Sequence, residues 1–325
     1  MTPDAVRAAG ARIAPFVRVT PLLSDPALDR LAGRRLLVKA ECQQHTGSFK
    51  YRGATAALTA LAPEVLARGV VAFSSGNHGQ GVARAASERG VTAVVVMPAD
   101  APVVKVARTR AFGAEVVFYD RARPEDRAAI AARLAAERGL TLVPPFDHPE
   151  VIAGQASVGT EIAAQVAELG LDRAEVLVPC GGGGLAAGIA LALSMDAPGF
   201  RVRTVEHTTH DDMARSLAAA QRRANPPGRV SLCDAILTPE PGQLTLPILA
   251  RLAGPGLTVS DDEALAAIAA AHRHLGLVAE PGGAVALAAA LSGRIAGGGP
   301  LVVVLSGGNV EDSLLARALA MGAPA

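Results

Sequence analysis

Four short segments hold the residues whose types and spacing could do chemistry. The first, Thr46-Gly47-Ser48-Phe49-Lys50-Tyr51-Arg52-Gly53, places a lysine at the head of an Ala-rich stretch that reads as a helix through Leu58. Thr46 or Ser48 is the candidate cap of that helix. A lysine in the first turn meets the positive end of the helix dipole, and partial burial acts in the same direction, so the neutral amine is favoured. A neutral amine attacks a carbonyl, which a guanidinium cannot do. Lys39, Lys50 and Lys105 are the only lysines among 31 basic residues, so each could mark a place that arginine does not serve. Taken alone, Lys50 reads equally as a solvated lysine on an amphipathic helix.

The second segment, Ser74-Ser75-Gly76-Asn77-His78-Gly79, follows the apolar run Val70–Phe73 and opens a helical pattern. Free backbone N–H groups at a helix start, with two hydroxyls and an amide, make a nest for a carboxylate. The third, Val178-Pro179-Cys180-Gly181-Gly182-Gly183-Gly184-Leu185, joins a strand to a helix. Four glycines let backbone N–H groups wrap an anion such as a phosphate. The run lacks the Lys-Ser/Thr ending of a P-loop and fits the dinucleotide fingerprint poorly. The fourth, Leu305-Ser306-Gly307-Gly308-Asn309, sets a hydroxyl at another strand end. An amine, a carboxylate nest, a phosphate cup and a terminal hydroxyl together describe a ligand with an aldehyde, a phosphate and a heteroaromatic nitrogen. Pyridoxal 5'-phosphate is that ligand, and attachment through a lysine imine is its usual mode.

The elements that must position these segments alternate. The expected strands are Arg35–Lys39, Val70–Phe73, Thr92–Met97, Glu115–Tyr119, Thr141–Val143, Glu175–Val178, Arg201–Val205 and Leu301–Leu305. Between them the periodicity predicts helices over Gly79–Arg89, Val103–Phe112, Glu125–Arg138, Ser157–Leu169, Leu185–Ser194 and Asp261–His274. Continuous Val/Leu strands separated by helices mean an α/β protein with parallel sheets covered by helices on both faces. Ligands of such sheets sit beyond the carboxyl ends of the strands, where all four segments lie.

Composition narrows the partners. With 325 residues, 50% of them hydrophobic, the chain can bury a large core, as one big α/β domain or two domains. A formal net charge of +1 provides no field for nucleic acid or an anionic membrane, so a small molecule in a cleft is expected. Cys42, Cys180 and Cys233 are too sparse for a disulfide framework or a structural zinc site. No signal-peptide pattern opens the chain, and the apolar stretch Gly181–Met195 is too short to span a bilayer, so a cytoplasmic protein is expected.

At these residues the sequence resembles the serine/threonine dehydratase and serine racemase family of pyridoxal-phosphate enzymes. The likeness runs over essentially the whole chain, through Ser48–Gly53, Ser74–Gly79, Ile152-Ala153-Gly154-Gln155, the four glycines, Glu280-Pro281-Gly282-Gly283-Ala284 and Ser306–Asn309. It implies fold type II, with two mostly parallel, open twisted sheets and the cofactor in the cleft between a large domain (1–70 plus 150–325) and a small one (71–149). It also implies a homodimer acting on a small amino acid. Lys50 would carry the cofactor as an imine and abstract the Cα proton. Phe49, Asn77, Gly181, Gly182, Gly183, Gly184, Glu280 and Ser306 would contact the cofactor, with Ser306 at the pyridine nitrogen. Ser74, Ser75, Gly76 and His78 would bind the substrate, with Ser75 also acting on the face opposite Lys50. Glu206, the backbone carbonyl of His210, and Asp212 would hold Mg²⁺ or another hard cation.

Three departures shape the expected activity. Related racemases carry a polar residue where Phe73 stands, and Ser231–Ala235 departs from their pattern, which favours a dehydratase acting on L-threonine, L-serine or 3-hydroxyaspartate. Where the family's cation loop has proline, this chain has His207. The replacement enzymes of the same fold tend to have Thr-Ser-Gly-Asn-Thr-Gly at the nest, unlike Ser74–Gly79. A nicotinamide-dependent oxidoreductase and a non-catalytic binding protein are the alternatives from other classes.

Overall fold

The computed structural model describes residues 1–74, 76–101, 103–120 and 126–321. Its strands are β1 (Leu22–Leu23), β2 (Leu36–Lys39), β3 (Val70–Phe73), β4 (Ala93–Pro98), β5 (Glu115–Tyr119), β6 (Thr141–Leu142), β7 (Ala174–Pro179), β8 (Phe200–His207), β9 (Leu257–Val259) and β10 (Leu301–Val304). The first helices are α1 (Pro3–Ile13), α2 (Pro26–Ala32), α3 (Lys50–Thr59), α4 (Pro63–Leu66), α5 (Asn77–Ser87), α6 (Val103–Ala111) and α7 (Arg127–Arg138). They are followed by α8 (Pro149–Glu168), α9 (Gly184–Asp196), α10 (Asp212–Ala219), α11 (Thr245–Leu252), α12 (Asp261–Leu275), α13 (Pro281–Leu291) and α14 (Asp312–Ala320).

The strands form two sheets. One has the order β1-β2-β10-β7-β8-β9 and is parallel except for the antiparallel β1–β2 pair. The other, β5-β4-β3-β6, is parallel throughout. The pleat sorts each run of apolar residues between two cores, because successive side chains point to opposite faces. Leu36, Val38, Leu301 and Val303 pack with α12 and α13, whereas Leu37, Val302 and Val304 pack with α8 and α9. In the smaller sheet Val70, Ala72, Val95 and Met97 meet α3 and α5, while Val71, Val94 and Val96 meet α7. Strands read as uninterrupted hydrophobic runs are thus covered on both sides. Among the described residues no helix is long and apolar enough to cross a membrane.

Helix α3, which begins at Lys50, contributes Tyr51, Ala54, Ala57 and Leu58 to the core of the smaller sheet. Its other side lies tight on α8. A Cβ on Gly154 would sit 2.6 Å from the Cβ of Ala56 and 2.8 Å from the carbonyl oxygen of Arg52. Two differences from the sequence reading bear on this helix. Helix α8 begins at Pro149, eight residues before the expected start, and therefore includes Gly154. Neither Thr46 nor Ser48 caps α3, whose N-cap is Phe49 with no side-chain cap bond. Instead Ser48 forms a β-bridge with Gly307, and the Phe49 N–H donates to the Ser306 carbonyl at 3.1 Å. A tertiary backbone tie has replaced the local cap.

The α3–α8 contact yields a test. Gly154→Ala inserts a methyl where there is no room, and should cost about 1–3 kcal/mol. The melting temperature should fall accordingly; an unchanged value would show that the two helices separate freely.

Candidate active site

The carboxyl ends of β3, β7 and β10 face a cleft between the sheets with about 960 Å³ of empty space, open to solvent on one side. Its lining includes Phe49, Lys50, Ser74, Gly76, Asn77, His78, Gly181, Gly182, Gly183, Gly184, Glu280 and Ser306. The four segments singled out in the sequence, 46–53, 74–79, 178–185 and 305–309, therefore meet in one place. Ser75 lies outside the described residues.

Lys50 reaches the cleft from the head of α3. Its Nζ donates to the Pro145 carbonyl at 2.7 Å and lies 5.2 Å from the centre of the Phe49 ring. Enclosure by the walls lowers its pKa from 10.5 to about 8, since burial penalises the ammonium. His78 is buried, and its Nε2 meets the Val143 carbonyl at 2.9 Å. A carbonyl only accepts, so Nε2 carries the proton and Nδ1 presents a lone pair, which has no partner. Burial first, and then the charge of Lys50, lowers the His78 pKa to about 3. His78 thus offers a neutral acceptor to the cleft rather than a donor for a carboxylate.

Asn77 ties two elements together. Its Nδ2 donates to Glu280 Oε1 at 2.5 Å, and its Oδ1 accepts from Asn309 Nδ2 at 2.7 Å. Glu280 Oε2 is buried without a partner. Burial raises the Glu280 pKa to about 7, with the nearby Asp234 acting in the same direction. The Ser74 hydroxyl accepts from the Gly76 N–H at 3.0 Å, which leaves its own proton to donate.

The glycine run opens α9, with Gly183 at the N-cap and φ +92, a conformation costly for any side chain. A Cβ on Gly182 would enter the Phe146 ring, and one on Gly181 would lie 3.0 Å from the Ile236 carbonyl oxygen. Only bare backbone fits, so its N–H groups are what the loop offers an anion. The orphaned Glu280 Oε2, the free lone pair of His78 and this cradle fit a flat heteroaromatic ring with a phosphate tail.

Four lining side chains escaped the sequence reading in these roles. Lys105, from α6, ion-pairs with Asp234 across the cleft. Arg127, at the head of α7, holds its guanidinium 5.8 Å from the centre of the Phe73 ring. Phe146 covers the glycines. The rarity of lysine marked Lys105 but not its destination, and Arg127 stands in no motif.

Glu206, His210 and Asp212 lie at the end of β8 and do not line the cleft. Glu206 accepts from the N–H groups of Met213 and Ala214 at 2.9 and 2.7 Å. Burial and the charge of Asp212 raise its pKa well above the usual range. Asp212 Oδ1 accepts from Asn225 at 2.5 Å, and Oδ2 is buried without a partner. Among the described residues no three His, Cys, Asp or Glu side chains converge as a metal site. Two buried carboxylates with one orphaned oxygen suit a hard cation completed by a backbone carbonyl.

Comparisons agree with this geometry. Residues 13–307 match the model of the family described as pyridoxal-phosphate dependent enzyme. The structure of maize serine racemase superposes with a TM-score of 0.90 at 35% identity, covering 98% of this chain and 96% of that one. The crystal structure of a T.th. threonine deaminase gives a TM-score of 0.89 at 43% identity, covering 96% of this chain and 99% of that one. An L-threo-3-hydroxyaspartate ammonia-lyase of Saccharomyces cerevisiae is 38% identical over 305 residues, 93% of this chain and 91% of that protein.

The Lys50 environment predicts a pH signature in the ligand-free protein. Its folded pKa is lowered, so between about pH 8 and 10.5 the unfolded chain binds the extra proton and stability rises with pH. The gain through that window is about 3 kcal/mol, and below it the full cost remains. Urea titrations of the wild type and Lys50→Met from pH 7 to 10 check this. The wild type should gain on the variant as pH rises; parallel curves would mean that the amine is not buried.

Proposed function

The chain belongs to the pyridoxal-phosphate-dependent enzyme family, and on that premise we propose that it is an ammonia-lyase acting on a small L-hydroxy amino acid, L-threonine or L-serine. The net reaction removes the Cα proton and the β-hydroxyl, and ends with a 2-oxo acid and ammonia. The bound cofactor supplies an aldehyde that captures amines and a ring that acidifies the adjacent C–H bond.

The observation that carries the reading is the tuned amine of Lys50. Lys50, with its pKa near 8, can hold the neutral form needed to take a proton from Cα, and the Pro145 carbonyl orients its Nζ. Among the described residues, His78, with its pKa lowered to about 3, is too weakly basic and Lys105 is engaged with Asp234, so neither is poised as a second base. Elimination needs one base, whereas racemisation needs acid–base groups on two faces. Ser75 is the candidate for the second face, on resemblance alone. Gly181, Gly182, Gly183 and Gly184 would hold the phosphate, Asn77 and Glu280 would meet the ring's oxygen side, and Ser306 the ring nitrogen. A neutral hydroxyl there does not force a proton onto that nitrogen, which favours expulsion of a β-leaving group over ring-delocalised chemistry. Phe49 would lie against one face, and Ser74, Gly76 and His78 would form the substrate end. The division into 1–70 plus 150–325 and 71–149 is supported by the two sheets, with α3 bridging them.

One observation favours a second substrate. Arg127 brings a guanidinium to the cleft, and a β-carboxylate would pair with it, as in 3-hydroxyaspartate. Release of 2-oxo acid from L-serine, L-threonine and 3-hydroxyaspartate, with chiral analysis of remaining substrate, separates the readings. Lys50→Ala should abolish turnover; appearance of the D-isomer without 2-oxo acid would make the protein a racemase. Arg127→Met should lower kcat/KM for 3-hydroxyaspartate by roughly ten- to a hundredfold, the loss of one charge-assisted bond, while sparing L-serine. Equal effects on both substrates would remove Arg127 from β-carboxylate binding.

We also propose that Glu206, the His210 carbonyl and Asp212 hold Mg²⁺ or a similar cation. A cation bound only to the folded state raises its stability. EDTA should therefore lower the melting temperature and Mg²⁺ restore it, with Asp212→Asn insensitive to both; a wild type equally insensitive would show that no cation binds.

A further inference from the structure

The glycine run is held from behind by a layer that does not face the cleft. The Gly182 carbonyl accepts from the Thr245 hydroxyl at 2.6 Å and from the Gly242 N–H at 3.2 Å. Thr245 is fully buried at the first position of α11. The lead-in to α11 is fastened in turn by Asp147, whose Oδ2 and Oδ1 accept from the N–H groups of Gln243 and Leu244, each at 2.8 Å. Asp147 belongs to the loop that places the Pro145 carbonyl on Lys50 and the Phe146 ring over Gly182. One short loop thus touches both the amine and the backing of the glycine cup.

A glycine peptide has no side chain to restrain its orientation, so four in succession need an external restraint to present donors in one direction. In a trans peptide the carbonyl oxygen and the following N–H point opposite ways, and no cis bond occurs here. Pinning the Gly182 oxygen on Thr245 therefore turns the Gly183 N–H away from α11. The packing at that point is close, since a Cβ on Gly183 would lie 2.8 Å from Thr245 Oγ1 and 2.7 Å from Met213 Cε.

We propose that Thr245 is a positioning residue that orients the backbone donors of the phosphate cup, and that Asp147 keeps it in register. The inference rests on reading Gly181–Gly184 as the phosphate site. Preorganised donors bind an anion more tightly because no reorientation is needed on binding. The effect should therefore fall on the phosphate and not on the rest of the ligand.

The test titrates the full chain, stripped of cofactor, with pyridoxal 5'-phosphate and with pyridoxal, reading both dissociation constants from the ligand's absorbance change. Thr245→Val, which keeps the branched shape and loses the donor, should weaken pyridoxal 5'-phosphate about tenfold, the worth of roughly one hydrogen bond, and leave pyridoxal unchanged. Thr245→Ser should retain the wild-type ratio. Equal weakening of both ligands by Thr245→Val, or no weakening, overturns the proposal. If Thr245→Val does not fold, Asp147→Asn reads the same ratio: a reduced preference for the phosphate supports the proposal and an unchanged one overturns it. A wild type that does not distinguish the two ligands would instead sink the phosphate-cup reading itself.

Discussion

The guanidinium of Arg52 is fully buried, and the position of everything in the cleft depends on how it is held. Its Nε and Nη2 donate to the two oxygens of Glu41 at 2.8 Å each, and its Nη1 donates to Glu161 at 2.6 Å. Lys39, also fully buried, shares Glu161 and adds bonds to the Thr20 carbonyl and Gln165. Breaking one partner of such a set leaves an uncompensated charge in the interior, at about 3–5 kcal/mol. Helix α3 therefore cannot turn or slide without disrupting the set. Lys50 lies two residues before Arg52 on that helix, and the backbone at 48–49 is tied to Ser306 and Gly307. The amine is thus fixed from both sides along the chain.

That placement lets one cleft hold groups driven in opposite directions by the same cause. Burial moves Lys50 and His78 down and Glu280 up, because in each case the charged form is the one penalised. The outcome is a base available near neutral pH, a neutral imidazole and a carboxyl close to half-protonated. Pairs of groups whose surroundings separate their proton affinities are the usual mark of acid–base chemistry. The Lys105–Asp234 ion pair joins α6 of the smaller sheet's side to the 234–236 turn across the cleft.

The arrangement also explains why the architecture is split. The four-stranded sheet contributes the 74–79 turn, Lys105 and Arg127, whereas the six-stranded sheet contributes the glycines, Glu280 and Ser306. Helix α3 belongs physically to both, since its apolar side fills the smaller sheet's core and its polar side enters the Arg52 set. The lysine is therefore attached to the element that links the sheets.

What the sequence determined by itself is what local chemistry determines. Runs such as Val70–Phe73 and the apolar core of Thr92–Met97 are strands as expected because their apolar character suffices for burial on both faces. The glycine run could only be a backbone cup, because no side chain is there to do anything else. Strands β1 and β9 were not legible, since two or three residues carry too little pattern and exist only as edge partners of β2 and β8. The early start of α8 was hidden by Gly154, which reads as a breaker locally and in the fold admits the backbone of α3. Tertiary structure alone decided that Ser48 pairs with Gly307 instead of capping, that Lys105 meets Asp234, and that Arg127 and the Pro145 carbonyl face the amine's cleft. Each of these joins residues far apart in the chain, and the energy that selects them comes from sheet order and burial, neither of which is written in the spacing of neighbours.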